Sequence, residues 1–365
     1  MNNCNPRFGR AVRFGRQYFS YLLVWPLVTA CERSSYNVPT KSHALQDALI
    51  VMIGPSDGHP QWPGIRGGAE RFFASVPSLR SYCIAPREET AESLRTTVER
   101  VLEWQPKVVC LCVASSEAAR PSIDLIASRQ VLLITIGEPT ADPRVTAHVG
   151  VDLPAAAELL GENLTLVAAG RRSYLLLHEE GRSTVATNCY YRFSEAAQRQ
   201  YEVTLLEAAK ATPEDTTPAQ LVERVLRLFP HAGLIVTLNP DVWLTAQPGW
   251  HQQLHELNAD FRFAALSAAP VLWPRLGTPE KPGDAAALAG PLDGELGYAA
   301  TQLATHLLIS TERPPSRITI PCELVTAENL ADFSRRYAEA ANGLDVSAYL
   351  PPGTSRPASR PTGEQ

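Results

Sequence analysis

Short apolar runs alternate with longer amphipathic stretches along most of this 365-residue chain. Ala48–Ile53 (ALIVMI) predicts a buried strand, and Ile65–Ser75 predicts a helix after it. Leu79–Ala85 predicts a second strand, followed by a helix over Glu89–Trp104. Strand Lys107–Val113 (KVVCLCV), helix Glu117–Ser128 and strand Val131–Ile136 (VLLITI) continue the series. A second series opens after Ala147–Val151, with helix Pro154–Ala168, strand Tyr174–Leu177 and helix Asn188–Gln200. Strand Glu202–Leu206, helix Pro218–Phe229 and strands Gly233–Leu238 and Phe261–Leu266 follow. Helix Asp293–Ile309, two short strands around Ile318–Val325 and helix Ala327–Ala341 close the body. The strands are near-continuous apolar runs, as a parallel sheet covered by helices on both faces requires. The pattern therefore predicts two similar α/β lobes, each a doubly wound parallel sheet.

The first thirty residues follow a different grammar. Arg7, Arg10, Arg13 and Arg16, with no acidic residue, precede an apolar stretch from Tyr18 to Ala30. A basic end and a short apolar core ending in small residues is the pattern of a signal peptide. The stretch is too short to cross the roughly 30 Å hydrocarbon core as a standard helix. It ends Val28-Thr29-Ala30-Cys31, which resembles a bacterial lipobox. That resemblance implies cleavage before Cys31, lipid on its sulfur, and a body tethered to a membrane outside the cytoplasm, in the periplasm. A free thiol or a shortened membrane anchor is the plainer alternative. Residues 32–46 are polar and aperiodic, so 31–46 read as a flexible tether; 344–365, rich in Pro, Ser, Thr and Gly near its end, reads as a disordered tail.

Charge and cysteine content narrow the classes. Loss of residues 1–30 would remove four of the 33 Lys and Arg and none of the 38 Asp and Glu, leaving a net of −9. Nucleic acid is an unsuitable partner for such a body. Cys83, Cys110, Cys112, Cys189 and Cys322 are an odd number, so they cannot all pair internally; they read as core filler, with one disulfide left open. No cysteine–histidine cluster has zinc spacing. His251 and His255, four apart beside Glu256, have no third ligand in view. No dinucleotide fingerprint or phosphate-binding loop is present, and no cofactor is expected.

Gly54-Pro55-Ser56-Asp57-Gly58 matches G-x-S-x-G after a strand, but Pro60 and Pro63 prevent a helix from starting directly behind the serine. A serine esterase is therefore the third reading. Trp62 reads equally as a stacking platform or as core, while Trp104 and Trp243 read as core. Glu138 follows a buried strand, and strand C-terminal ends in α/β sheets face the ligand crevice.

The segment order over residues 47–330 resembles the periplasmic sugar-binding proteins of the ribose-binding type, which have the type I periplasmic-binding-protein fold. His59-Pro60-Gln61-Trp62 stands where that family has Asn-Pro-aromatic-aromatic, and Gly67-Gly68-Ala69 follows. Gly137-Glu138 replaces the Asp-Arg pair after the fourth strand. His148-Val149-Gly150-Val151-Asp152, running into AAAELLGENL, matches the first crossing between lobes. Arg192 matches the arginine of a second-lobe helix, with Glu195 where glycine is usual, and Asn239-Pro240-Asp241 matches an Asn-Asp turn. Ala265-Leu266-Ser267 and Gly290 depart from the pattern and remove groups that grip sugar hydroxyls.

The resemblance implies a three-segment hinge, with crossings near Gly150–Asp152, near Gly290 and near Arg313–Arg317. It assigns 47–150 plus 290–314 to the first lobe and 151–289 plus 315–343 to the second. It implies a non-enzymatic monomer that binds a small polar solute (a sugar, polyol or nucleoside) in an interlobe cleft. The expected ligand contacts are His59, Trp62, Glu138, Asp152, Arg192, Asn239, Asp241 and Ser267, with Glu138 and Arg192 on opposite lobes. The partner would be a membrane transporter permease, of an ABC transporter, or a sensor. A fold repurposed for protein contacts, without a small ligand, is the alternative.

Overall fold

The apolar runs pair side by side into two sheets. In the computed structural model, the described residues run from 45 to 351, apart from 46, 114, 169, 179–182, 201–202, 211–217, 240, 245–249, 259, 279–283 and 311–314. The strands are β1 (Leu49–Ile53), β2 (Arg80–Ile84), β3 (Val108–Val113), β4 (Leu132–Gly137), β5 (Ala147–Val151) and β6 (Ser173–His178). They continue with β7 (Thr204–Lys210), β8 (Leu234–Thr237), β9 (Arg262–Ala265), β10 (Ala285–Gly290), β11 (Arg317–Ile320) and β12 (Glu323–Val325). One sheet has the order β11-β5-β4-β3-β1-β2 and the other β12-β10-β9-β8-β6-β7. Every pairing is parallel except β12 on β10.

Helices α1 (Trp62–Ser75), α2 (Ala91–Glu103) and α3 (Ser116–Ser128) belong to the first lobe. The second lobe contains α4 (Leu153–Glu162), α5 (Leu164–Ala168), α6 (Thr184–Ala197), α7 (Pro218–Leu228), α8 (Asp241–Leu244), α9 (Trp250–Leu257) and α10 (Trp273–Leu276). The chain then returns through α11 (Asp293–Ile309) to pack on α1, and ends in α12 (Leu330–Ala340). Short polar side chains start four of these helices. Thr90, Ser115, Asp152 and Ser183 each accept a hydrogen bond from the backbone N–H three residues on, which offsets one orphan donor per helix.

Alternation along the central strands gives each sheet two apolar faces. In the first lobe, Ile50, Met52, Cys110 and Ile134 face α1 and α11, while Val51, Leu111 and Leu133 face α2 and α3. In the second, Tyr174, Leu176 and Val236 face α4 and α6. Leu175, Ile235 and Phe263 form the opposite face, a core that includes Trp243, Trp273, Phe333 and Tyr337. The two α/β lobes expected from the pattern are present, and Cys110 and Cys112 share one face of β3. All five described cysteines are free thiols.

Several boundaries differ from the expectation, each for a local reason. β10 (AAALAG) has no β-branched residue, so its composition carries no strand signal, yet it is the buried strand beside β9. The helix expected over Pro154–Ala168 is broken at Asn163. β11 pairs with β5 in the first sheet, so residues 317–320 belong to the first lobe and not the second. Pro321, which has no N–H, lies just beyond that ladder, and the third crossing runs through Pro321-Cys322 rather than near Arg313–Arg317. Leu45, assigned to the tether, is fully buried, and Val346, assigned to the tail, is 2% exposed in the second-lobe core. Trp104, expected in the core, is 40% exposed and lies against Tyr82 with ring centroids 5.5 Å apart. Among the described residues no helix is long and apolar enough to cross a membrane.

Candidate functional site

The crossings locate the site. The chain leaves the first sheet after Val151, leaves the second after Gly290, and leaves the first again after Ile320. Each departure is from the C-terminal end of a parallel strand. Val151 pairs with Ile320 and Gly290 with Glu323, so the three crossings are neighbours. The C-terminal ends of both parallel sheets therefore lie on the side where the lobes are joined, which is where α/β sheets take ligands.

On the first lobe that edge carries short polar side chains. Ser56, 6% exposed, lies in the loop after β1, and the next helix does not begin until Trp62, so no nucleophile elbow is built. His59 is half-buried and its Nδ1 accepts from the Gln61 backbone N–H at 3.3 Å. Glu138 follows β4; its backbone N–H donates to Val113 O, and its Oε1 accepts from the Ser116 hydroxyl at 3.1 Å. On the second lobe, His178 ends β6 at 5% exposure, Asn239 follows β8 at 9%, and Ser267 follows β9 at 3%. The Tyr190 ring lies over His178 with centroids 4.4 Å apart. Asp152 sits at the first crossing, where its Oδ1 caps α4 by accepting from Ala155 N–H at 3.0 Å.

Two expected contacts, Trp62 and Arg192, do not join this set. Trp62 is 4% exposed in the first-lobe core, and its indole lies so close to Gly54 that a Cβ there would come within 2.6 Å of the ring. It is core, not an open stacking platform. Arg192 lies far along α6, and its half-exposed side chain pairs with Glu158 of α4 at 3.2 Å. It bridges two second-lobe helices and does not oppose Glu138. The side chain of Asp241 lies outside the described residues, as does Cys31. His255 lies 3.7 Å from Asp284, and no three His, Cys, Asp or Glu converge among the described residues.

His178 and Tyr190 were missed. The visible signal was a polar residue ending an apolar run, Leu175-Leu176-Leu177-His178. Asp293 was also missed. It opens α11 at the second crossing with 1% exposure, and burial pushes its carboxyl up to about 7.

No protein-family model matches this chain, and no curated protein matches it. Solved structures do. An arabinose-binding protein from Geobacillus stearothermophilus aligns with a TM-score of 0.66 at 14% identity, covering 79% of this chain and 99% of that one. A solute-binding protein of an ABC transporter from Clostridium phytofermentans, with bound L-rhamnose, aligns at 0.61 and 13% identity, covering 80% and 99%. One from Bacillus halodurans with bound myo-inositol aligns at 0.61 and 14%, covering 81% and 100%. The chain has the type I periplasmic-binding-protein fold. The neighbours that share this fold are binding proteins, one named for arabinose, one holding L-rhamnose and one holding myo-inositol. At this identity the likeness speaks for the fold alone.

Proposed function

We propose that this chain is an extracytoplasmic solute-binding protein that takes a sugar or polyol between its lobes. The observation that carries the reading is the pair of opposed strand edges bearing Ser56, His59 and Glu138 on one lobe and His178, Asn239 and Ser267 on the other. Hydroxyl, imidazole, amide and carboxylate groups supply both donors and acceptors, which a polyhydroxylated solute needs because each unpaired buried group costs roughly 1–3 kcal/mol. The neighbours' arabinose, rhamnose and inositol are the same chemistry. Hinge rotation about the three crossings closes the lobes, and the closed form is presented to a membrane transporter or sensor. Cys31 holds the protein to the membrane through lipid.

A thermal-shift screen against pentoses, hexoses, deoxysugars, cyclitols and nucleosides tests the binding. A ligand at a hundred times its dissociation constant adds about 2.7 kcal/mol of stability, a visible shift. Cys31→Ser tests the anchor, by leaving the leader uncleaved or freeing the protein from the membrane fraction. Trp62 and Arg192, two expected grips, are committed elsewhere. That observation favours a second reading, in which the fold acts through protein contacts, and silence across the whole panel would establish it over the first.

A further inference from the structure

Helix α12 is built into both lobes. Its Leu330, Phe333 and Tyr337 belong to the second-lobe core, where Tyr337 meets Trp273 edge-on at 5.3 Å. Arg336 grips Glu323 of β12 with two hydrogen bonds, 2.5 and 2.6 Å. The other end of α12 lies on α1 and α11. Arg71 of α1 donates to Glu339 O at 3.1 Å, and a Cβ at Gly67 would come within 2.8 Å of the Ala341 carbonyl carbon. Where these helices meet, Tyr337 Oη donates to Asp293 Oδ2 at 2.7 Å and Gln61 Nε2 donates to Asp293 Oδ1 at 3.1 Å. One buried carboxyl thus receives one donor from each lobe at the second crossing.

We propose that α12 is a latch across the hinge, with Asp293 as its bolt: the protonated carboxyl holds the lobes together, and its ionisation lets them part. The proposal rests on the two-lobed fold and not on any solute. Burial without a cation beside it outweighs the two hydrogen bonds, which by themselves favour the ionised form. Asp293 therefore stays protonated up to about pH 7 when latched, its own O–H then donating to Tyr337 Oη, whereas a solvated carboxyl ionises in the ordinary range near 4. An acid whose latched value is the higher one favours the latched form at low pH. That preference is complete below the ordinary range and is lost as pH rises through about 7.

Other titratable groups face the latch. The Tyr337 phenol is held well above its usual range by burial and by Asp293 itself. Burial first, then Asp152 and Asp293, push the Cys322 thiol at the third crossing up to about 12. Glu295 is paired with Arg71 at 3.0 Å, and Glu323 with Arg336. Tyr349 acts on Tyr337 from beyond α12, and His59, bonded to the Gln61 backbone, lies beside the latch and is controlled for below.

The test is hydrogen exchange of α1 and α12, corrected for intrinsic rate, with small-angle scattering on the ligand-free protein from pH 5 to 8. Wild type should lose protection about tenfold or more across that range, with an expanded radius of gyration at pH 8. Asp293→Asn should keep the pH 5 values throughout, Tyr337→Phe should be loosened even at pH 5, and His59→Gln should follow wild type. A flat wild-type profile would overturn the latch, as would an Asp293→Asn profile that still follows wild type. Sugar binding can succeed or fail independently of either outcome.

Discussion

Helices α1 and α11 approach closely because glycines face each other, and Gly297→Ala tests that contact by sign. A Cβ at Gly297 would stand 2.8 Å from the Ile65 carbonyl carbon and 3.0 Å from Ala69 N, and closer still to Ile65 O. The obstacle is helix backbone, which cannot swing aside, so the two helices must separate. Separation loosens Phe72 against Tyr298, now edge-on at 5.3 Å, and the packing of Ile65 with Leu296 in the same core. Overpacking of this kind costs about 1–3 kcal/mol. Helix propensity acts the other way, since alanine is better than glycine mid-helix by about 1 kcal/mol. The contact here is at the severe end of the range, so the net expectation is about 2 kcal/mol of destabilisation. In a melt followed by circular dichroism at 222 nm this lowers Tm by roughly 4–8 °C. Gly58→Ala, with nothing within 4 Å of the added carbon, should change stability by less than about 0.5 kcal/mol. A Gly297→Ala protein that melts higher than wild type would show that propensity alone acts there and that the helices are not in backbone contact.

Other expectations follow from single sites. His148 is 7% exposed, its Nδ1 is 3.0 Å from the Thr135 hydroxyl, and burial followed by the Arg317 charge lowers its imidazole to about 4. A base lowered in the folded state contributes stability above its usual 6.5 that is lost as pH falls through about 4. His148→Gln should remove that acid-sensitive step from a pH series of urea midpoints, and an unchanged series would contradict the assignment. Arg192→Ala should cost no more than about 1 kcal/mol and leave solute binding intact, because its pair with Glu158 is largely solvated; a tenfold loss of affinity would return Arg192 to the cleft. Burial pushes the thiols of Cys83, Cys189 and Cys322 up to about 12, and those of Cys110 and Cys112 up as well. An aromatic disulfide reagent at pH 8 should therefore label none of the three buried thiols, Cys110, Cys112 and Cys189, until the protein is unfolded, and rapid native labelling of any of them would contradict that burial.

The strands were legible wherever β-branched residues ran together, as in ALIVMI and VLLITI, because only a doubly covered sheet uses such runs. Ala285–Gly290 was not, since alanine and glycine carry no strand preference and the strand forms because β9 and β12 flank it. The third crossing was misplaced because the short runs around Ile318–Val325 do not say which sheet each joins; pairing decides that. Of the candidate site residues, Glu138 could be read from its place after a buried strand, whereas Asn239 and Ser267 were named through the family resemblance. The placement of Trp62 and Arg192 could not be read, because whether a side chain turns inward or along a helix face depends on neighbours in other elements, the loop at Gly54 in one case and Glu158 of α4 in the other. Asp293 gave no signal at all. An aspartate at a helix start reads as an ordinary solvated residue, and it is buried by α12, arriving 44 positions later with Tyr337, together with Gln61 and α1 from far earlier in the chain.

The central claim is that one small polyhydroxylated solute is held by both lobes at once. Calorimetric titration of wild type, Glu138→Ala and Asn239→Ala with the sugar or polyol that gives the largest thermal shift tests it most directly. The account predicts one saturable site in wild type. It also predicts that removing either side chain weakens binding by roughly one to two decades, since a lost hydrogen bond to a buried partner costs about 1–3 kcal/mol. Both variants should keep the wild-type fold by circular dichroism. Wild-type affinity in the variant from either lobe would contradict a cleft between the strand edges.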